Sequence, residues 1–226
     1  MEEKIYTIPV NEEFEKSGDC PFCRLYKKLE SNEISLITGA SMMEPDIRIK
    51  TNEMGFCKKH FEKICATKEK LPVALVIQTH LDKLRGDLKK GPLTLDFSQK
   101  VIKRLEKLED DCYVCERINR HFIRMTETVC LLFEKEKKFR EMFASQKTLC
   151  LPHLLLLLQT SRNFSPKKTR RSLEMAALEL SEKNLNELYD DISLFCKKFD
   201  YNHKDLPWGD SKDAIERSLK FITSDI

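Results

Sequence analysis

The chain is poor in the two residues that most often interrupt helices. Six glycines and eight prolines in 226 residues leave long stretches unbroken. Leu, Lys and Glu dominate what remains, which favours helix over sheet. Recognisable catalytic signatures are also missing. There is no Gly-rich phosphate loop, no His-Glu-x-x-His and no nucleophile elbow. Excess charge of one sign is absent too. The 40 Lys and Arg residues stand against 37 Asp and Glu, a formal charge of +3, which gives no global bias toward nucleic acid or anionic membrane. Long apolar runs are lacking. The most apolar stretch, Leu149 to Leu158, contains Pro152 and His153 and is far too short to span a bilayer. The start, Met1 to Ile5, has no basic region leading into an apolar run, so no signal peptide is expected and the cytoplasm is the expected location.

What the chain has in quantity is cysteine. Nine are present, an odd number that fits a full disulfide framework badly. Paired Cys-x-x-Cys in a reducing compartment points to metal or redox chemistry instead. Eight Cys and His residues form one arrangement twice. Cys20-Pro21-Phe22-Cys23 is followed by Cys57-Lys58-Lys59-His60, and Cys112-Tyr113-Val114-Cys115 by Cys150-Leu151-Pro152-His153. The gap from Cys23 to Cys57 is 34 residues, and from Cys115 to Cys150 it is 35. Inert core cysteines have no reason to repeat at such spacing.

Thiolates and neutral imidazole are borderline-soft ligands suited to Zn²⁺, and three Cys with one His make a closed tetrahedral structural centre. The sequence therefore predicts two structural zinc ions, one per half. Each would tie a Cys-x-x-Cys to a Cys-x-x-His more than 30 residues away. Whether the pairs combine within each copy or across the copies stays open, as does zinc against iron–sulfur, where histidine ligation is rarer. A thioredoxin-like dithiol at Cys20 and Cys23 lacks the preceding βαβ strand. Cys65, Cys130 and Cys196 have no ligand spacing and read as small core residues.

The expected fold is all-α, seven to nine helices in pseudo-duplicated halves crossed by a long C-terminal helix. Residues 1–18 read as an N-terminal arm or short edge strand, because Lys4 to Val10 alternates and Pro9 argues against a central strand. Residues 19–90 and 91–165 read as two zinc-binding helical repeats, with the linker around Gly86 to Thr94. One long helix is expected from Cys115 to about Phe143. Residues 166–226 carry the long helix, whose positions Leu173, Ala177, Leu180, Asn184, Leu188 and Ile192 step by three or four with one polar member, and a tail that packs on the body.

Cys20-Pro21-Phe22-Cys23, the run Thr51-Asn52-Glu53-Met54-Gly55-Phe56-Cys57-Lys58-Lys59-His60 and the tail Lys198-Phe199-Asp200-Tyr201 resemble a bacterial family of unknown function. Its members share both cysteine pairs and a Trp-containing tail, so the resemblance covers nearly the whole chain. It implies a bacterial cytoplasmic protein and no known substrate. Thr148-Leu149-Cys150 departs from the first copy in lacking a counterpart of Gly55.

The function expected from these residues is that of a zinc-stabilised structural or interaction module, its partner another protein or a second copy of the chain. Asp200, Tyr201 and Trp208 are the candidate contact residues. An enzyme is the first alternative, with His80, His121, Asp200 and Tyr201 lining a helical cleft. Nucleic-acid binding through Lys167 to Arg171 is the second, without interleaved aromatics to support it.

Overall fold

The computed structural model describes residues 4–39, 43–89, 95–164, 166–203 and 206–226. Among the described residues there is no strand. These residues hold eleven α-helices: α1 (Thr7–Phe14), α2 (Pro21–Ile37), α3 (Pro45–Met54), α4 (Lys58–Ala66), α5 (Lys70–Asp87), α6 (Leu95–Asp110), α7 (Tyr113–Lys135), α8 (Lys137–Ala144), α9 (Leu151–Phe164), α10 (Lys167–Lys197) and α11 (Ala214–Thr223). The all-α expectation holds, with more helices than expected. Residues 90–94 of the expected linker lie outside the described residues.

Two differences explain the higher count. The N-terminal arm is helical: a 3-10 turn at Lys4–Tyr6 leads into α1. Pro9 is its third residue, where the backbone N–H would have no helical partner in any case. The second difference is a break in the expected long helix. Glu136 is extended, at φ −115° and ψ 118°, and separates α7 from α8. Arg140 holds the break, its Nη1 donating to the Phe133 and Glu134 carbonyls at 2.8 and 3.1 Å. Those carbonyls end α7 and would otherwise lack partners.

The chain forms two compact units, Met1–Lys27 with Phe122–Ile226, and Lys28–His121. The divisions fall inside α2 and α7, so the units do not follow the expected repeats at 19–90 and 91–165.

In the first unit the core is aromatic. Phe14 is buried and meets Phe22 edge-on at 5.7 Å, Phe139 at 5.0 Å and Phe143 at 5.8 Å. The long helix α10 packs against α9 and α11, burying Leu173, Ala177, Leu180, Ser181 and Leu188. Ser181 Oγ donates to the Leu149 carbonyl at 3.1 Å, which fixes the backbone next to Cys150. Trp208 docks at half burial on Phe195, ring centres 5.9 Å apart, with the Lys198 ammonium 5.1 Å above its ring. Asp200 and Tyr201 are exposed.

In the second unit α3 and α4 pack on α5, around buried Phe56, Ile64, Val73, Val76 and Tyr113. The loop between α3 and α4 is held in detail. His80 Nδ1 lies 3.1 Å from the Asn52 carbonyl, Arg104 reaches the Asn52 and Glu53 carbonyls, and the Tyr113 N–H donates to the Gly55 carbonyl at 3.1 Å. Gly55 has φ +66°, and a Cβ there would stand 3.1 Å from His80 Cε1. Only glycine suits both that backbone and that approach.

Candidate metal centres

All four ligand motifs fold in the same way. Cys20, Cys57, Cys112 and Cys150 each stand immediately before a helix: α2, α4, α7 and α9. The carbonyl of each accepts the first turn's hydrogen bond, from Arg24, Phe61, Glu116 and Leu154 respectively, at 2.8–3.1 Å. The second residue of each motif, three positions on, is then the third residue of its helix, beside the first. Pro21 and Pro152 occupy first-turn positions, where proline is tolerated.

The motifs meet across the sequence copies. Cys20, Cys23, Cys150 and His153 form one cluster, and Cys57, His60, Cys112 and Cys115 form the other. The within-copy combination is therefore not the one the structure brings together. Each cluster takes the Cys-x-x-Cys of one copy and the Cys-x-x-His of the other. This is also why the compact units ignore the repeat boundary: each forms around a cluster.

Within each cluster the four ligand atoms lie within 4.8 Å of one another. Zinc–sulfur and zinc–nitrogen bonds of about 2.3 and 2.0–2.1 Å in a tetrahedron require S···S near 3.8 Å and S···N near 3.6 Å. In the first cluster the Cys23 and Cys150 sulfurs are 3.7 Å apart, and His153 Nδ1 lies 3.6, 3.4 and 3.0 Å from the Cys20, Cys23 and Cys150 sulfurs. In the second, the Cys57 and Cys115 sulfurs are 3.9 Å apart. His60 Nδ1 lies 3.2, 3.2 and 3.3 Å from the Cys57, Cys112 and Cys115 sulfurs. Disulfide sulfurs would be about 2.05 Å apart, and all nine cysteines are free. Each group of four donors could hold one metal ion.

The surroundings of the two clusters differ. His60 is fully buried, and with Nδ1 aimed at the thiols its Nε2 donates to Glu30 Oε1 at 3.2 Å. Glu30 is in turn paired with Lys59, at 3.2 Å, and with Lys63. A carboxylate behind a ligating imidazole fixes its tautomer and raises its basicity. His153 instead has aromatic neighbours, Phe22 at 5.8 Å and Phe122 at 5.3 Å between ring centres. The Asp225 N–H donates to Cys23 Sγ at 3.5 Å, and the Asp225 carboxylate pairs with Lys27 and Lys220. The first cluster is buried throughout, whereas Cys57 and Cys115 of the second are half-buried.

Burial pushes the Cys20 thiol up to about 12. Burial, then the neighbouring Cys112, does the same to Cys115. Burial pulls His153 down to about 4 and lowers His60 against the upward pull of Glu30. Both imidazoles are thus neutral at pH 7, as ligands must be, while a metal must displace the thiol protons.

A cleft of about 760 Å³ in the first unit reaches Cys20, Cys23 and Cys150. Its charged rim is largely paired: Arg217 with Asp191 and Asp213, and Lys220 with Asp225. None of His80, His121, Asp200 or Tyr201 lines it. His80 serves the Gly55 loop, and Lys167 to Arg171 form the first turns of α10. Of the three remaining cysteines only Cys130 is a core residue; Cys65 and Cys196 are exposed. Sequence reasoning missed Glu30 and Asp225. Glu30 had no signal in the ligand spacing, because it backs His60 and not the Cys23 cluster at the start of its own helix. Asp225 had none.

No helix among the described residues is long and apolar enough to cross a membrane. No curated protein and no solved structure matches the chain. One family model matches it over residues 1–226. With that match over its full length, the chain belongs to the family of unknown function DUF6062.

Proposed function

We propose that each cluster binds one zinc ion and that the protein is a zinc-stabilised interaction module of the bacterial cytoplasm. The observation that carries this reading is the sulfur and nitrogen spacing. Sulfurs 3.7 and 3.9 Å apart match the edge of a zinc tetrahedron, about 3.8 Å. Four ligand atoms within 4.8 Å of one another leave room for one ion and none for a cluster of several irons and sulfides. Three thiols and an imidazole supply all four ligands, so no position remains for water or substrate. A catalytic zinc needs such a position. The paired charges of the cleft supply no matched acid and base near the thiols. Contact with a macromolecule is the role left to a scaffold whose metal shells are complete. Elemental analysis of protein purified without added metal tests the metal reading. Two zinc per chain are expected; no metal, with the eight ligand positions intact and their thiols reactive, refutes it.

A further inference from the structure

The long helix α10 carries two apolar stripes. One, from Leu173 to Leu188, is buried against the first unit. The other is outside it. Met175, Leu178, Leu185, Tyr189, Ile192 and Cys196, with Glu182 as the polar member, step by 3, 4, 3, 4, 3 and 4 residues. That is an unbroken heptad pattern with a repeat of 3.5, the spacing that keeps a seam facing a partner helix. Leu178, Leu185 and Ile192 take one seam position; Met175, Glu182, Tyr189 and Cys196 take the other. Met175, Leu178, Leu185 and Tyr189 are 54%, 49%, 50% and 70% exposed. Glu182 and Cys196 are exposed, and Ile192 is half-buried. Phe199, three residues on and 76% exposed, extends the seam past the end of the helix.

We propose that this seam is the interface of a homodimer in which two copies of α10 pack antiparallel about a two-fold axis near Glu187. The proposal rests on the interaction-module reading above and names its partner as the chain itself. Three observations favour a second copy. The pattern is self-complementary. In the antiparallel register Met175 faces Phe199, Leu178 faces Cys196, Glu182 faces Ile192 and Leu185 faces Tyr189, so every seam position meets one of the other class. The area also suffices. The exposed seam amounts to roughly 700 Å² per copy, near the ~800 Å² per partner of a standard stable interface. Finally, Glu182 selects the direction. A parallel pair would set Glu182 against Glu182 at the seam, whereas the antiparallel pair separates the two by roughly 15 Å along the axis, beyond the Debye length of about 8 Å at physiological salt.

Sedimentation and light scattering of the full chain, with zinc measured on the same samples, test the proposal. The expected mass is twice the chain's 26.6 kDa. Leu185→Glu should give a monomer with unchanged helicity and unchanged zinc. The register is tested by Leu178→Cys in a Cys65→Ser background. Mild oxidation should link residue 178 of one copy to Cys196 of the other, as mapped by mass spectrometry. A Cys196–Cys196 link would overturn the antiparallel pairing. A chain that stays monomeric at its highest soluble concentration with both zinc sites filled would overturn the dimer and leave the metal reading standing. A chain that dimerises without zinc would do the reverse.

Discussion

Glu30 shows how one side chain can set the character of a candidate metal centre without being one of its ligands. It is almost fully buried and accepts from His60 while two lysines balance its charge. Burial of the Glu30 carboxyl works against ionisation, but hydrogen bonds and charge from Lys63 and Lys59 outweigh it and hold its pKa below the ordinary value. It is therefore a carboxylate at neutral pH and can polarise the imidazole. Removing such an outer partner costs about 10–100-fold in metal affinity. Glu30→Gln should weaken zinc at the Cys57/His60/Cys112/Cys115 centre by about that factor and leave the other centre unchanged. Competition with a chromophoric chelator, which resolves two zinc ions per chain by affinity, checks this. Equal weakening of both centres would refute the assigned role.

At the scale of elements, the repeated rule is a cysteine placed just before a helix and its fellow ligand one turn inside. That rule was legible, because Cys-x-x-Cys and Cys-x-x-His put two ligands on one turn whatever follows. The long helix was legible for a similar reason. The stripe from Leu173 to Leu188 repeats often enough that no other structure explains it. Short or interrupted elements were harder. Tyr6, Ile8 and Val10 suggest alternation, yet the pair that matters is Val10 and Phe14, one helical turn apart and both buried. The break at Glu136 has no glycine or proline to announce it, because Arg140 makes it by capping carbonyls. Cys65 and Cys196 lie in helical patterns, but on faces that solvent reaches. The importance of α1 follows from Phe14, whose ring contacts three others from α2 and α8. Phe14→Ala leaves a cavity there and should cost about 3–5 kcal/mol, measured by chemical denaturation with zinc bound. A loss under about 1 kcal/mol would mean that α1 is peripheral to the fold.

For the molecule as a whole, the main consequence of the structure is the exchange of ligands between the sequence copies. Spacing pointed to the candidate ligands and their number; it left the pairing undetermined, since either combination satisfies the same count. Packing decides it. Cys20 and Cys23 open α2 beside the start of α9, and Cys57 and His60 meet the start of α7. An ion in the first unit would then close the loop between Cys23 and Cys150, and one in the second unit the loop between His60 and Cys112, both longer than the gaps within the sequence copies. Because binding to such a site is coupled to folding, zinc removal should loosen these helix starts ahead of the rest of the chain. Zinc content and thiol mapping in one variant, Cys57→Ser, test this exchange of ligands. The prediction is one zinc per chain, with Cys112 and Cys115 newly open to alkylation and Cys20, Cys23 and Cys150 still protected. One zinc with Cys20 and Cys23 released instead, and Cys112 and Cys115 protected, would contradict it.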